Sequence, residues 1–232
     1  MRMHKDVKYD QLCHKINYRF ENPALLHEAL THRSHSTPHN ERLEFLGDGV
    51  LNCAVAGLIF RLCPELPEGD LSRLRANLVN QKALNELALG LNLGELIQFG
   101  DGELKSGGSR RPSILSDAIE AILGAIYLDS SFAKAEEVVA TLYMPILKNL
   151  DQKTLGKDPK TLLQEYLQSL KLALPEYSIV STVGKAHEKK FKVACIVTKF
   201  NIRAIGEGDS RRGAEQAAAK EAYETINLSA KK

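Results

Sequence analysis

The chain has 232 residues, enough for one or two domains, and its 44% hydrophobic and 26% charged content is ordinary for a soluble globular protein. We expect no apolar run of the roughly 18 residues that span a bilayer, and the charged start of the sequence lacks the apolar segment of a secretory signal. These features favour a cytoplasmic protein with no membrane association.

The first half is predicted to be almost entirely helical, because apolar residues recur every three or four positions from 9 to about 147. Asn22 and Pro23 begin one helix. Asn40 is a suitable N-cap for the next, which runs to about Leu62. The pattern then predicts a helix over 71–89, a glycine-rich loop over 100–108, and helices over 113–128 and 132–150.

The second half has a different pattern. A polar stretch over 151–158 is predicted to be a linker. It is followed by a helix over 161–170, three strands over 177–183, 190–198 and 201–205, and an alanine-rich helix over 210–226. The predicted fold class is therefore multidomain, with an all-α domain over 1–150 and an α-β-β-β-α domain over 159–228.

Charge is distributed unevenly between these regions. The formal net charge is +2, but residues 158–232 carry thirteen basic and nine acidic residues, against eighteen basic and twenty acidic residues before them. A basic C-terminal region suggests a polyanionic partner, and an acidic body suits cations. The four cysteines form no C-x-x-C pair, so we expect reduced thiols.

Carboxylates cluster on two apolar helices. At about 100° per residue, Glu41, Glu44 and Asp48 share one face of the helix that starts near residue 40. Asp117 and Glu120 share a face of a later helix, where small residues would permit close helix packing. A buried group of unpaired carboxylates is costly, so a compensating cation is expected. All-oxygen ligands favour Mg²⁺ or Mn²⁺ over zinc. The alternative interpretation is a solvated acidic face with Arg42 as an ion-pair partner.

Several motifs together resemble the ribonuclease III family. The stretch NERLEFLGDGVL over 40–51 is long and specific. THRS precedes it, and EGDLSRLRANLV, GELKSGG and SILSDAIEAILGAIYLD follow it, all in family order. The C-terminal stretches DPKTLLQEYLQ, GKAHEKKF and GDSRRGAEQAAAKEA resemble a double-stranded-RNA-binding domain. The resemblance covers nearly the whole chain.

The resemblance implies a metal-dependent endonuclease of double-stranded RNA. It assigns metal binding to Glu44, Asp48, Asp117 and Glu120, with Asp48 and Glu120 as catalytic residues, and it places Glu41 and Glu68 in a supporting acidic shell. It further implies a homodimer, 5′-phosphate and 3′-hydroxyl ends with short 3′ overhangs, and processing of ribosomal RNA precursors and other structured transcripts. Two divalent ions could activate a water and stabilise the leaving oxygen.

The same resemblance predicts the RNA contacts of the second domain. These are Thr161, Gln164, Glu165 and Gln168 on the first helix, His187 in a loop, and Ser210, Arg211 and Arg212 at the start of the last helix. A helix N-terminus and two guanidiniums both attract phosphate. Gly213 stands where the family often has lysine, which predicts somewhat weaker phosphate contact.

Two other functions remain as alternatives. A non-catalytic RNA-binding protein would be favoured by loss of a carboxylate at one of the four metal positions, and all four are present. A di-metal oxidoreductase would need Glu-x-x-His, which neither acidic cluster contains. The glycine-rich loop lacks G-x-x-x-x-G-K-[ST], so we expect no nucleotide cofactor.

Overall fold

The computed structural model describes residues 2–148, 158–184 and 189–230, and its contacts divide the chain into two compact units, residues 1–156 and 157–232. The predicted linker, apart from Asp158, and His187 lie outside the described residues. The predicted boundaries at 150 and 159 therefore stay a prediction. The fold class is confirmed, with a helical first domain and an α-β-β-β-α second domain.

Eight helices make up the described part of the first domain. They are α1 (Arg2–Ile16), α2 (Pro23–Ala29), α3 (Glu41–Leu62), α4 (Glu68–Leu78), α5 (Gln81–Leu91), α6 (Asp101–Lys105), α7 (Pro112–Asp129) and α8 (Phe132–Lys148). The core lies around α7, eleven residues of which are buried, and α3 packs along it. The hydroxyl of the fully buried Tyr143 on α8 donates to the Leu78 carbonyl oxygen at 3.0 Å.

Three predictions for this domain were wrong. Asn40 makes no side-chain hydrogen bond that caps α3, and α6 forms within the loop expected over 100–108. The single helix expected over 71–89 is divided into α4 and α5, because the Asn80 side chain accepts the Ala83 N–H and caps a new helix. Among the described residues, α3 is the one helix long and apolar enough to cross a membrane by length and composition, although Asp48 and Arg61 interrupt its apolar sequence. Eight of its residues are buried in this domain.

The second domain places two helices on a three-stranded antiparallel sheet. Its elements are α9 (Pro159–Ser169), β1 (Glu176–Val183), β2 (Lys190–Val197), β3 (Ile202–Gly208) and α10 (Arg211–Ala230), and the strand order is β1-β2-β3. In β2, Cys195 and Val197 enter the core with Leu163 and Leu167 of α9, and Ala194 on the opposite face is also buried. The Asp158 side chain accepts the Thr161 N–H at 2.9 Å and caps α9.

Candidate metal centre and nucleic-acid surface

The two acidic helices touch through glycine. A Cβ added at Gly47 of α3 would lie 1.8 Å from the Glu120 carbonyl oxygen, and one at Gly124 of α7 would lie 2.2 Å from the Leu43 carbonyl oxygen. No other residue has a side chain small enough for this approach. The contact holds the backbones of α3 and α7 together, with Gly47 one turn after Glu44 and Gly124 one turn after Glu120.

This packing brings three predicted ligands together. One carboxylate oxygen each from Glu44, Asp117 and Glu120 lies within 4.8 Å of the others, and all three residues are partly buried. Among the described residues, none of the three forms an ion pair with lysine, arginine or histidine. The group has the size and chemistry of a site for a hard divalent cation.

Asp48 lies beside this group and not within it. Its side chain is exposed, and the Asn52 amide nitrogen donates to its Oδ1 at 2.9 Å. Its charge nevertheless acts on Glu44 and is the largest of the charges that raise the pKa of Glu120. Asn52 therefore fixes Asp48 at the margin of the site, one helical turn from Glu44.

The clustered charges change the acidity of the site. Burial, followed by the charges of Asp48, Asp117 and Glu44, raises the pKa of Glu120 to about 7. Burial and neighbouring carboxylates also raise the pKa of Glu44, and burial raises that of Asp117. Mutual repulsion of unpaired carboxylates has this effect, and a bound cation would reverse it. The donor set therefore fits Mg²⁺ or a similar ion.

The two residues predicted to support the site are placed differently. Glu41 is paired with Arg33 at 3.1 Å and lies 3.9 Å from His39, so Arg33, and not Arg42, is its arginine partner. Glu68 is exposed in the first turn of α4, where it accepts the Ser72 hydroxyl at 2.7 Å. Glu41 also contributes to the raised pKa of Glu44, whereas Glu68 is not among the charges that act on the three clustered carboxylates.

A pocket of about 420 Å³ adjoins the cluster and has a basic side that the sequence did not predict. Glu41, Glu44 and Asp117 line one part of it, and the remaining lining is His32, Arg33, Asn40, Glu103, Arg111, Ser113 and Ile114. Arg111 pairs with Glu103 at 2.7 Å. The THRS motif, noted in sequence only as part of the resemblance, was the available signal for His32 and Arg33. A pocket with both signs of charge can hold a cation and an anion side by side.

In the second domain, four of the predicted RNA contacts of the two helices line one concave surface. A pocket of about 660 Å³ is lined by Thr161 and Gln164 of α9 together with Arg211 and Arg212 of α10. Glu165 and Gln168 are exposed on α9, and Ser210 accepts the Gly213 N–H at 3.0 Å. This surface suits a phosphate backbone, although its RNA contacts stay a prediction.

This surface also includes a carboxylate that the sequence did not indicate. Glu215 of α10 accepts Lys160 Nζ at 2.7 Å and Arg211 Nε at 2.9 Å, and its side chain is only 12% exposed. Lys160 Nζ also lies 4.4 Å from the centre of the Tyr177 ring. One buried carboxylate thus connects α9, α10 and β1.

Comparisons with known proteins agree with this architecture. A family model described as ribonuclease-III-like matches residues 22–147, and a model for the double-stranded RNA binding motif matches residues 159–226. The chain is 58% identical over 220 residues to Ribonuclease 3 of Cupriavidus pinatubonensis, covering 95% of this chain and 86% of that one. It is 60% identical to Ribonuclease 3 of Nitrosomonas europaea, covering 95% and 90%.

The first domain is also similar to a solved structure, the nuclease domain of ribonuclease III from Campylobacter jejuni. The TM-score is 0.58 at 43% identity, over 61% of this chain and 97% of that one. A nuclease domain followed by a double-stranded-RNA-binding domain defines an endonuclease of double-stranded RNA. The chain belongs to the ribonuclease III family.

Proposed function

We propose that the chain hydrolyses phosphodiester bonds of double-stranded RNA with Mg²⁺, for which Mn²⁺ could substitute. The observation that carries this proposal is the group of Glu44, Asp117 and Glu120 oxygens within 4.8 Å of one another, without a cationic side chain among the described residues to neutralise them. Asp48 would complete the site. Divalent ions bound there would activate a water and stabilise the leaving 3′ oxygen.

The chain's own residues would arrange the reaction. Glu44, Asp117 and Glu120 would hold their cation on two rigid core helices, so little reorganisation would accompany catalysis. The Arg33 and Arg111 guanidiniums in the adjoining pocket would attract the phosphates of the strand. The products would be a 5′-phosphate and a 3′-hydroxyl, with short 3′ overhangs when both strands are cut.

A homodimer would account for cleavage of both strands. The outer face of α3 exposes 85% of Phe45 and 67% of Phe60, with the exposed Cys53 between them. Apolar exposure along one helix is typical of a protein interface. Another structure of the C. jejuni nuclease domain, 45% identical to this chain with a TM-score of 0.56, is described as showing structural flexibility in a region involved in dimer formation.

We infer that the substrates are ribosomal RNA precursors and other structured transcripts, processed in the bacterial cytoplasm. Support comes from the bacterial relatives that carry the name Ribonuclease 3. We expect neither a membrane nor a nucleotide cofactor to take part.

The direct test incubates the protein with a long RNA duplex, with Mg²⁺ or with a chelator, and with a DNA duplex of the same sequence. Shortening of the RNA only when Mg²⁺ is present supports the proposal. Binding without cleavage in Mg²⁺ or Mn²⁺ would instead assign a non-catalytic RNA-binding function.

The dimer is tested by light scattering during size exclusion. The wild-type protein should have the mass of two chains, and Phe45→Asp should have the mass of one. Leu89→Asp is the matched control, because it places the same charge at a leucine that is 56% exposed on α5. A monomeric wild type, or a monomer produced equally by Leu89→Asp, would contradict the proposed interface.

A further inference from the structure

Three asparagines precede α-helices in the described part of the nuclease domain, and one of them does not act as a cap. Asn22 Oδ1 accepts the Ala24 N–H at 3.1 Å, and Asn80 Oδ1 accepts the Ala83 N–H at 2.9 Å. Asn40 makes no side-chain hydrogen bond to α3, contrary to the sequence prediction. Its φ of −71° and ψ of −16° are already helical, whereas a capping side chain needs an extended backbone.

Asn40 is nevertheless held in place by its backbone. Its N–H donates to the Thr31 carbonyl oxygen at 2.9 Å, and its carbonyl accepts the Glu44 N–H at 2.8 Å. The residue as a whole is only 3% exposed, and its carboxamide makes no side-chain hydrogen bond to α3, although its polar atoms are not among the fully buried atoms that lack a partner. The carboxamide is therefore available to hydrogen-bond a ligand that enters from solvent.

Asn40 lines the pocket beside the acidic cluster. That pocket is lined by Glu44 and Asp117 on its acidic side and by His32, Arg33 and Arg111 on its basic side. Asn40 therefore contributes a neutral amide, on a residue held in place by its backbone hydrogen bonds, to a pocket whose other polar groups are mostly charged. Its place next to two candidate metal ligands puts it where the reacting strand would lie.

The hydrogen-bonding chemistry of the RNA strand indicates which of its groups this amide would bind. Phosphate oxygens only accept hydrogen bonds, which suits the guanidiniums, and divalent ions take the carboxylates. A ribose 2′-hydroxyl both donates and accepts, and a carboxamide can do both in return. The 2′-hydroxyl is also the group by which a protein distinguishes RNA from DNA.

We infer that the Asn40 carboxamide binds a ribose 2′-hydroxyl beside the scissile phosphate and contributes to the selection of RNA over DNA. The inference rests on the proposed nuclease function and adds a substrate contact to that site. It predicts a contact with one nucleotide at a fixed distance from the cut. No proton transfer or bond to Asn40 is required.

The test uses a short RNA hairpin with one mapped cut and a series of copies, each carrying a single 2′-deoxy nucleotide near that cut. In the wild-type protein, one deoxy position should lower kcat/KM roughly 2- to 10-fold, the effect of one neutral hydrogen bond. Asn40→Ala should cut the all-RNA hairpin more slowly and lose the discrimination at that position. Dissociation constants for the same series, measured in a Glu120→Gln background that does not cleave, provide a second readout.

Asn80→Ala is the matched control, because it removes an asparagine that does cap its helix. It should lower the melting temperature and leave the deoxy profile unchanged, whereas Asn40→Ala should change the profile with little effect on melting. If Asn40→Ala melts early, Asn40→Leu, which fills the same space, replaces it. Loss of discrimination at one position in either readout supports the inference.

Three results would overturn the inference. The first is that no single deoxy position changes cleavage or binding by the wild-type protein. The second is that the Asn40 variant has the same deoxy profile as the wild-type protein. The third is that substitution of Asn40 changes the effect of a phosphorothioate near the cut and not the effect of a deoxy nucleotide. Cleavage of the all-RNA hairpin by the wild-type protein in Mg²⁺ is scored separately, so failure of the nuclease proposal remains distinguishable.

Discussion

Glu120 of the nuclease domain and Glu215 of the RNA-binding domain are both partly buried glutamates on helices, yet their surroundings are opposite. Glu120 is surrounded by carboxylates, and burial and their charges raise its pKa to about 7. Glu215 accepts hydrogen bonds from Lys160 and Arg211, and the Lys160 bond is the main cause of its lowered pKa.

The difference shows two uses of the same side chain. In the second domain the carboxylate is neutralised within the fold, so it stabilises the domain and orients two cations near the candidate RNA surface. In the first domain the carboxylates remain unneutralised, so the fold is destabilised until a cation arrives. Binding of a metal ion should therefore stabilise the nuclease domain and have no direct effect on the other.

The largest expected effect comes from the same substitution made in each domain. Glu120→Gln should lower the cleavage rate at saturating RNA by at least about 100-fold, as loss of a group that stabilises charge in the transition state does, while RNA binding is retained. Glu215→Gln should leave that rate nearly unchanged. Single-turnover cleavage and fluorescence anisotropy measure the two properties. Normal cleavage by Glu120→Gln would remove Glu120 from the catalytic site.

The close approach of α3 and α7 can be tested through glycine. Gly47→Ala should destabilise the nuclease domain by about 3 kcal/mol, because overpacking forces two helices apart, and should weaken Mg²⁺ binding. Gly49→Ala is the matched control in the same helix, since nothing lies within 4 Å of its added Cβ. It should be neutral or stabilising by up to about 1 kcal/mol. Denaturant unfolding and calorimetric titration with Mg²⁺ give both quantities. Equal stability of the two variants would contradict the observed packing.

The sequence predicted the acidic site because its determinants are local. Helical periodicity places Glu44 near Asp48 and Asp117 near Glu120, and the small residues of α7 indicated which face packs closely. The three β-strands of the second domain were likewise predicted from local sequence. What periodicity could not supply was the partner of each side chain, so the difference between the central Glu44 and the marginal Asp48 became apparent only in the structure.

Two of the errors arise from contacts between residues distant in sequence. Asn40 has the residue type of an N-cap, but the Thr31 carbonyl fixes its backbone in a helical conformation and prevents capping. Glu215 resembled an ordinary surface glutamate until α9 brought Lys160 against it. Asn80 was the reverse case, where a local cap signal was present in the sequence and was overlooked.

A smaller effect is expected in the pH dependence of stability without metal. The raised pKa of Glu120 means that the folded state holds its proton more tightly than the unfolded state, so this stabilisation is complete below pH 4.5 and is lost as the pH rises through about 7. Across that window the wild-type protein in a chelator should lose between about 1 and 3 kcal/mol more stability than Glu120→Gln.

Chemical denaturation of both proteins at several pH values measures this difference. Addition of Mg²⁺ should abolish it, because the ion replaces the proton as the neutralising charge. A difference that is independent of pH would show that Glu120 does not titrate in this range and would separate it from the neighbouring carboxylates.

The smallest expected effect has the opposite sign and lies in the second domain. The lowered pKa of Glu215 means that its contribution is present above its unfolded pKa of 4.5 and is lost as the pH falls through the lower folded value. At neutral pH, Glu215→Gln should destabilise this domain by about 1 kcal/mol, because Lys160 and Arg211 lose a charged acceptor.

Glu224→Gln on the same helix is the control: its side chain is 57% exposed and 3.9 Å from Lys220, so it should cost less than about 0.5 kcal/mol. Hydrogen exchange of α9 and α10 amides reports the stability of this domain within the full chain. The contrary result is that amide protection in Glu215→Gln, relative to the wild-type protein, increases as the pH rises. The two glutamates would then behave alike, and the contrast between the domains would not hold.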